Sequence, residues 1–194
     1  MLYDRNIREP LFDFLEERLG KVRIIEEKTL GRCRADVMLV LPGKLCGLEI
    51  KSDADSYERL ARQVKAYDRF FDENYVAVGT RHALHIEEHV PKWWGIITVE
   101  NTPKGVDFYC LRQAEPNPKC KWKEKLSLLW RPELAALQQL YGMPKYAQKS
   151  KAFVRDKLLE WLEKGKITED SLRVQLSEQL FERDYTLFDE AEDR

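Results

Sequence analysis

An α/β fold built on a mixed sheet is what this 194-residue sequence predicts, and three observations carry it. The stretch 34–51, RADVMLVLPGKLCGLEIK, reads as a β-hairpin. A helical repeat precedes it and a second one follows. Two further apolar strands, 74–79 and 94–100, lie beyond that second helix. Helix, strand, hairpin, helix and strand in that order place helices against a sheet with both parallel and antiparallel neighbours.

Ile7, Leu11, Phe14, Leu15 and Leu19 recur at helical spacing, and Gly20 ends the pattern, so a helix is expected over 4–19. Residues 21–27 supply a first strand, and Gly31 breaks the run ahead of the hairpin. Within the hairpin, the apolar runs 35–41 and 45–50 flank Pro42-Gly43, a pair suited to a type II turn. That turn sets Leu41 against Lys44, and counting outward places Asp36 opposite Glu49. Side chains alternate along a strand, so Lys51 shares the face of Glu49 while Val37, Leu39, Leu48 and Ile50 take the other. Like charges directly opposite each other destabilise a sheet. A divalent cation between Asp36 and Glu49 would remove that penalty, which is the physical reason to expect a metal site here.

After Lys51, Asp53, Asp55 or Ser56 can cap a helix over 56–71 whose apolar residues are Leu60, Val64, Tyr67 and Phe71. Gln63 lies one turn before Tyr67, on or beside that face. The run 74–79 is a buried strand, 83–89 a short helix stopped by Pro91, and 94–100 and 106–111 two strands joined by a turn at 102–105. The stretch 114–125 combines two prolines with Lys119, Lys121, Lys123 and Lys125 and reads as a linker or an exposed basic loop. Beyond it the β signal vanishes: 130–141, 151–162 and 171–183 are amphipathic helices, followed by the acidic tail FDEAEDR. The organisation expected is a core over 1–114, a linker over 115–125 and a helical region over 126–194.

A hydrophobic fraction of 43% is enough for a sizeable core, and 35% charged residues is above the usual quarter. The net charge of -1 gives no global basic field, so a nucleic-acid surface must come from local clustering. The N-terminus MLYDRNIREP lacks a signal-peptide pattern and no apolar run is long enough for a bilayer, so a cytoplasmic protein without a membrane partner is expected. Cys33, Cys46, Cys110 and Cys120 show no CxxC pairing and read as free thiols in a reducing compartment.

An acid-x-Lys pattern alone means little, and Glu26-Glu27-Lys28 is an incidental match. Glu49-Ile50-Lys51 stands out through its context: a strand after a turn, an acid in register on the preceding strand, and a Gln-bearing helix next. RADVMLV…GLEIKS followed by Gln63-Val-Lys-Ala-Tyr67 resembles the PD-(D/E)XK nuclease superfamily, with the Q-x-x-x-Y element of its RecB-like branches. The likeness covers about the first two thirds of the chain, and the segments RADV…EIKS and VPKWWGI look closest to small bacterial MmcB-like DNA-repair proteins. That resemblance implies a restriction-endonuclease-like core, a four-stranded mixed sheet flanked by helices, and Mg²⁺- or Mn²⁺-dependent phosphodiester cleavage. By motif, Asp36 and Glu49 would be metal ligands with the Ile50 carbonyl, and Lys51 would orient or deprotonate the attacking water. Gln63 would hold water, metal or phosphate, and Tyr67 would brace the site or contact a substrate phosphate. Ala35 replaces the namesake proline; Glu9 is the preferred acid of the first helix, and Glu27 could serve from the end of strand 1. Hard carboxylate oxygens suit Mg²⁺ or Mn²⁺ independently of any family.

Other motifs have competing readings. His85-Ile-Glu-Glu-His89 matches the inverted zinc-peptidase pattern, but Pro91 limits its helix to about two turns, and a surface helix that carries histidines is the favoured account. Trp93-Trp94 is either core filling or a base-stacking platform, and the lysines around Trp122 either a phosphate strip or a solvated linker. The stretch ELAALQQLYGMPKYAQKSKAFVRDKLLEWL weakly resembles the helix–loop–helix of SAP-like DNA-binding modules, which would set Lys145, Lys149 and Lys151 against backbone phosphates. The alternative is a helical cap on the core or on a second subunit, making a homodimer. The function expected is a DNA nuclease of repair, recombination or mobile-element and defence systems, with a non-catalytic nucleic-acid-binding protein of the same fold as the rival.

Overall fold

A computed structural model describes residues 3–103 and 105–185; the FDEAEDR tail and Lys104 lie outside the described residues. The sheet has six strands in the order of the chain: β1 (Arg23–Leu30), β2 (Cys33–Leu41), β3 (Lys44–Lys51), β4 (Glu73–Gly79), β5 (Gly95–Thr102) and β6 (Gly105–Arg112). β3–β4 and β4–β5 pair in parallel and the other neighbours are antiparallel, so the sheet is mixed; its six strands are those read along the chain, two more than the four-stranded sheet that the family resemblance implies. Both parallel links need a crossover. Helix α2 (Leu60–Phe70) supplies the first, and α3 (Thr80–Ala83) with a 3₁₀ turn at Ile86–Glu88 supplies the second.

The Pro42-Gly43 turn sets the hairpin register as its chemistry dictates. Gly43 has φ 71°, the left-handed value a type II turn requires of its third residue, and Leu41 pairs with Lys44 through to Val37 with Leu48. A second tight turn was not read from the sequence. Gly31, at φ 64°, lets β1 run on to Leu30 and fold back on Cys33, so Gly31 links two strands rather than ending a lone one.

The two faces of the sheet carry separate cores. Helix α1 (Asp4–Leu19) buries Ile7, Leu11 and Leu15 against Val37, Leu39, Leu48 and Ile50. On the opposite face, Met38, Val40, Leu45 and Val76 pack with Leu60, Val64 and Tyr67 of α2 and with the C-terminal helices. Those are α4 (Trp122–Ser127), α5 (Arg131–Leu140), α6 (Lys151–Glu163) and α7 (Glu169–Glu182). Leu126, Leu134, Leu158 and Leu176 are all buried in this second core, so the helical region packs on the sheet.

The stretch 114–125 is not a free linker. The Asn117 side-chain amide donates to the carbonyls of Asp68 and Phe71 at 2.8 and 2.7 Å, and the buried Lys125 ammonium donates to both oxygens of Asp72 at 2.7 and 2.8 Å. Trp122 opens α4; Lys119, Lys121 and Lys123 are exposed around it, and Lys125 is buried. Trp94 is fully buried and Trp93 partly so; both indole N–H groups donate to Asp68, so the pair fills core and a Lys119 ammonium sits 4.6 Å over the Trp93 ring. The helix expected over 56–71 begins only at Leu60, because the Asp55 carboxylate turns back to accept from Ser52 N and Oγ at 2.8 and 2.7 Å instead of capping. The short helix around the histidines is broken in two. His89 stacks on Tyr57, and the exposed His85 has its Nδ1 3.7 Å from Glu88. The four cysteines are free thiols. Among the described residues, no helix is long and apolar enough to cross a membrane.

Candidate functional site

The antiparallel ladder between β2 and β3 gives way to side-chain bonding just past Val37–Leu48. Continued by one residue, that register sets Asp36 against Glu49, and the Asp36 carboxylate accepts the Ile50 N–H at 2.9 Å. Glu49 is wholly buried and Lys51 is 4% exposed. The Lys51 ammonium lies 2.8 Å from Glu49 Oε1 and donates to Gln63 Oε1 at 3.1 Å. The Gln63 amide in turn donates to Glu49 Oε1. Asp36, Glu49, Lys51 and Gln63, expected together from the turn and the helix phase, do line one cavity of about 470 Å³.

Tyr67 completes the arrangement from below. Its hydroxyl donates to Glu49 Oε2 at 2.7 Å and accepts from the Asp36 backbone N–H at 3.0 Å. One O–H proton can serve only one acceptor, and Glu49 is the nearer and more basic one. Burial, and then the charges of Glu49 and Asp36, raise the pKa of this hydroxyl well above its usual value, so it stays a donor. With 0% exposure, Tyr67 holds the Glu49 carboxylate and the Asp36 main chain from the core side.

The Lys51 ammonium pairs with Glu49 and leaves Asp36 as the acid short of positive charge. Burial first, then the Glu49 carboxylate, push the Asp36 carboxyl up to about 7, against the Ile50 N–H bond, Lys51 and Arg8. Among the described residues, no group of three or more His, Cys, Asp or Glu is arranged to hold a metal ion, so the site has the chemistry of two carboxylates and a lysine.

The first-helix acid needs correction. Glu9 is exposed and does not line the cavity; Asp4 and Arg8 do. Successive helix residues are about 100° apart, so one residue of phase turns Glu9 away from Arg8's direction. Glu27 does line the cavity, but as an anchor for arginines. Its carboxylate meets Arg8 at 2.8 Å and Arg34 at 2.5 Å, and its backbone adopts φ 55° in mid-strand. Such a left-handed non-glycine residue costs on the order of 1–3 kcal/mol and persists where its surroundings hold it. Arg8 is also bonded to Asp4 at 2.7 Å and Glu26 at 3.0 Å. Lys145, Lys149 and Lys151 do not line this cavity. Lys145 lines a separate one beside α5, Lys149 lies over the Phe153 ring, and Lys151 donates to the Ser127 carbonyl.

Sequence reasoning missed the arginines. Arg8, Arg32, Arg34, Arg59 and Arg62 all line the cavity, drawn from α1, the β1–β2 turn, β2, the residue that precedes α2, and α2 itself. Arg59 and Arg62, flanking Leu60 and Gln63 on one helical turn, were the readable part of that signal.

Fold and site together define an α/β protein with a mixed sheet whose central hairpin carries a buried acid–acid–lysine centre. The chain belongs to the bacteriophage P4 protein cII family, whose model matches residues 1–193. Protein cII of Enterobacteria phage P4 is 24% identical over 147 residues, which is 74% of this chain and 55% of that relative. The chain thus spans little more than half the length of the curated relative it matches. Among solved structures, SPO1766, a protein of unknown function from Silicibacter pomeroyi, aligns with a TM-score of 0.51 at 20% identity over 75% of this chain and 98% of its own. That is a likeness of fold. SfsA of Pyrococcus furiosus, solved in complex with Ca²⁺, aligns with a TM-score of 0.35 at 16% identity over 54% of this chain and 60% of its own.

Proposed function

We propose that this chain is a metal-dependent nuclease of the PD-(D/E)XK type that hydrolyses phosphodiester bonds, DNA foremost. The observation that carries the reading is the convergence of Asp36, Glu49, Lys51 and Gln63 on one cavity at the end of the hairpin. The donor chemistry fits a hard divalent cation. Two carboxylates, one of them pushed up to about 7 by the other and by burial, are an arrangement that added positive charge relieves. Asp36 and Glu49, with the Ile50 carbonyl, would hold Mg²⁺ or Mn²⁺. When bound, the ion would neutralise charge on the transferring phosphate and make water more acidic.

The chain's own groups do the positioning. Lys51 lines the cavity and would donate to a phosphate oxygen that enters it. Gln63, bonded to both Lys51 and Glu49, keeps the amine and carboxylate from collapsing away from the opening. Tyr67 fixes the Glu49 carboxylate from the core side. The family is named for a phage protein, which favours the mobile-element setting over general repair.

The rival is a nucleic-acid-binding protein that keeps the fold without catalysis. The Glu49–Lys51 ion pair at 2.8 Å favours it, because that carboxylate already has a cationic partner. Cleavage separates the two. Purified protein with Mg²⁺ or Mn²⁺ is expected to cut labelled single-stranded, duplex or branched DNA. Asp36→Ala, Glu49→Gln and Lys51→Ala are each expected to lose roughly 10²-fold or more while keeping the fold. Wild type that cuts neither DNA nor RNA, or variants that cut equally well, would rule the enzyme reading out.

A further inference from the structure

The arginines around the cavity divide into two kinds. Arg8 is committed to Asp4, Glu26 and Glu27, and Arg34 to Glu27. Arg32, Arg59 and Arg62 are exposed, line the same cavity, and have no carboxylate within ion-pair distance among the described residues. Arg32 comes from the β1–β2 turn, Arg59 is the residue that precedes α2, and Arg62 lies in its first turn. Gathered around one opening, these three bring its lining to six basic side chains against five acidic ones.

The lining also lacks something. Among the described residues no aromatic ring lines this cavity: its walls are charged side chains with Gln63, Cys33 and Ile50. A site that reads bases in single strands stacks them on aromatic rings. A site that takes only the backbone needs guanidinium forks, which match phosphate oxygens in pairs. We infer that Arg32, Arg59 and Arg62 form a phosphate clamp that holds a polynucleotide by its backbone, independent of base sequence, across the Asp36–Glu49 centre. This clamp rests on the phosphodiester reading of the same cavity. It adds the residues that grip the chain and the sequence-independence of the grip.

The two readings fail separately in one experiment. Anisotropy of fluorescent duplex DNA is measured against the full chain in EDTA over a series of salt concentrations. The protein is wild type, the Arg32→Gln/Arg59→Gln/Arg62→Gln triple variant, or the matching Arg→Lys triple. Phosphate contacts contribute about −0.9 each to the slope of log K against log salt. The Gln triple is therefore expected to bind roughly tenfold or more weakly and to lose roughly 2–3 from the magnitude of the slope. The Lys triple keeps most of the slope because it keeps the charge, and two duplexes of unrelated sequence bind wild type equally. Equal affinity and slope for wild type and the Gln triple would overturn the clamp, as would wild type that binds no DNA or binds one sequence far better. Arginine-dependent binding without any metal-dependent cleavage would leave the clamp standing and remove only the nuclease.

Discussion

Asp36→Asn replaces a carboxyl that burial and the Glu49 charge push from 3.8 up to about 7 with a neutral group of nearly the same shape. The asparagine oxygen can still accept the Ile50 N–H that Asp36 Oδ2 holds at 2.9 Å. An acid whose pKa is raised on folding contributes stability that is fully present below its unfolded pKa and is lost as pH rises through the folded value. In the absence of divalent cations, wild type therefore loses stability relative to the variant from about pH 4 to about pH 7. Between about pH 5 and pH 7 the difference is two units, or about 2.7 kcal/mol at 1.36 kcal/mol per unit. Urea unfolding of both proteins in EDTA at pH 5 and pH 8 reads it directly. The stability of Asp36→Asn minus that of wild type should grow by about 2–3 kcal/mol between the two pH values. Saturating Mg²⁺ should then narrow the gap at pH 8 by stabilising the ionised acid of wild type. A difference that stays flat with pH would refute the electrostatic picture of two acids crowding each other.

Other perturbations test the supports of the site. Tyr67→Phe leaves the buried Asp36 N–H and Glu49 Oε2 without their partner and should cost about 1–3 kcal/mol in urea unfolding, with slower cleavage. Lys125→Ala leaves Asp72 without its buried cation and should destabilise by about 3–5 kcal/mol, whereas a true linker lysine would change nothing. Gly47→Ala would drive a methyl group into the Tyr67 and Phe71 rings, and a loss of about 1–3 kcal/mol is expected in thermal melts.

The hairpin was the most legible part of the sequence because a two-residue turn leaves the register no freedom. Pro42-Gly43 fixed Leu41 against Lys44, and with it the face shared by Asp36, Glu49 and Lys51 and the opposite face of Val37, Leu39, Leu48 and Ile50. The helix over 4–19 was equally readable, its apolar stripe being long and its end marked by Gly20. What stayed hidden was tertiary. Asn117 and Lys125 look solvated in a proline-rich stretch, and only the fold brings Asp68, Phe71 and Asp72 to meet them. Glu9 failed by one step of helical phase, which an apolar stripe alone does not resolve at its polar border. Arg32 and Arg62 are thirty residues apart, and no periodicity announces that a turn and a helix will share a cavity.

Asp36 and Glu49 are proposed to grip one cation between them. Mn²⁺ titrated into the protein and followed by electron paramagnetic resonance tests it without reliance on any substrate. Wild type should remove free Mn²⁺ signal to saturation at one or two ions per chain, and Asp36→Asn and Glu49→Gln should each abolish that uptake. Wild type that leaves the free signal undiminished, or acid variants that bind as it does, would contradict the account.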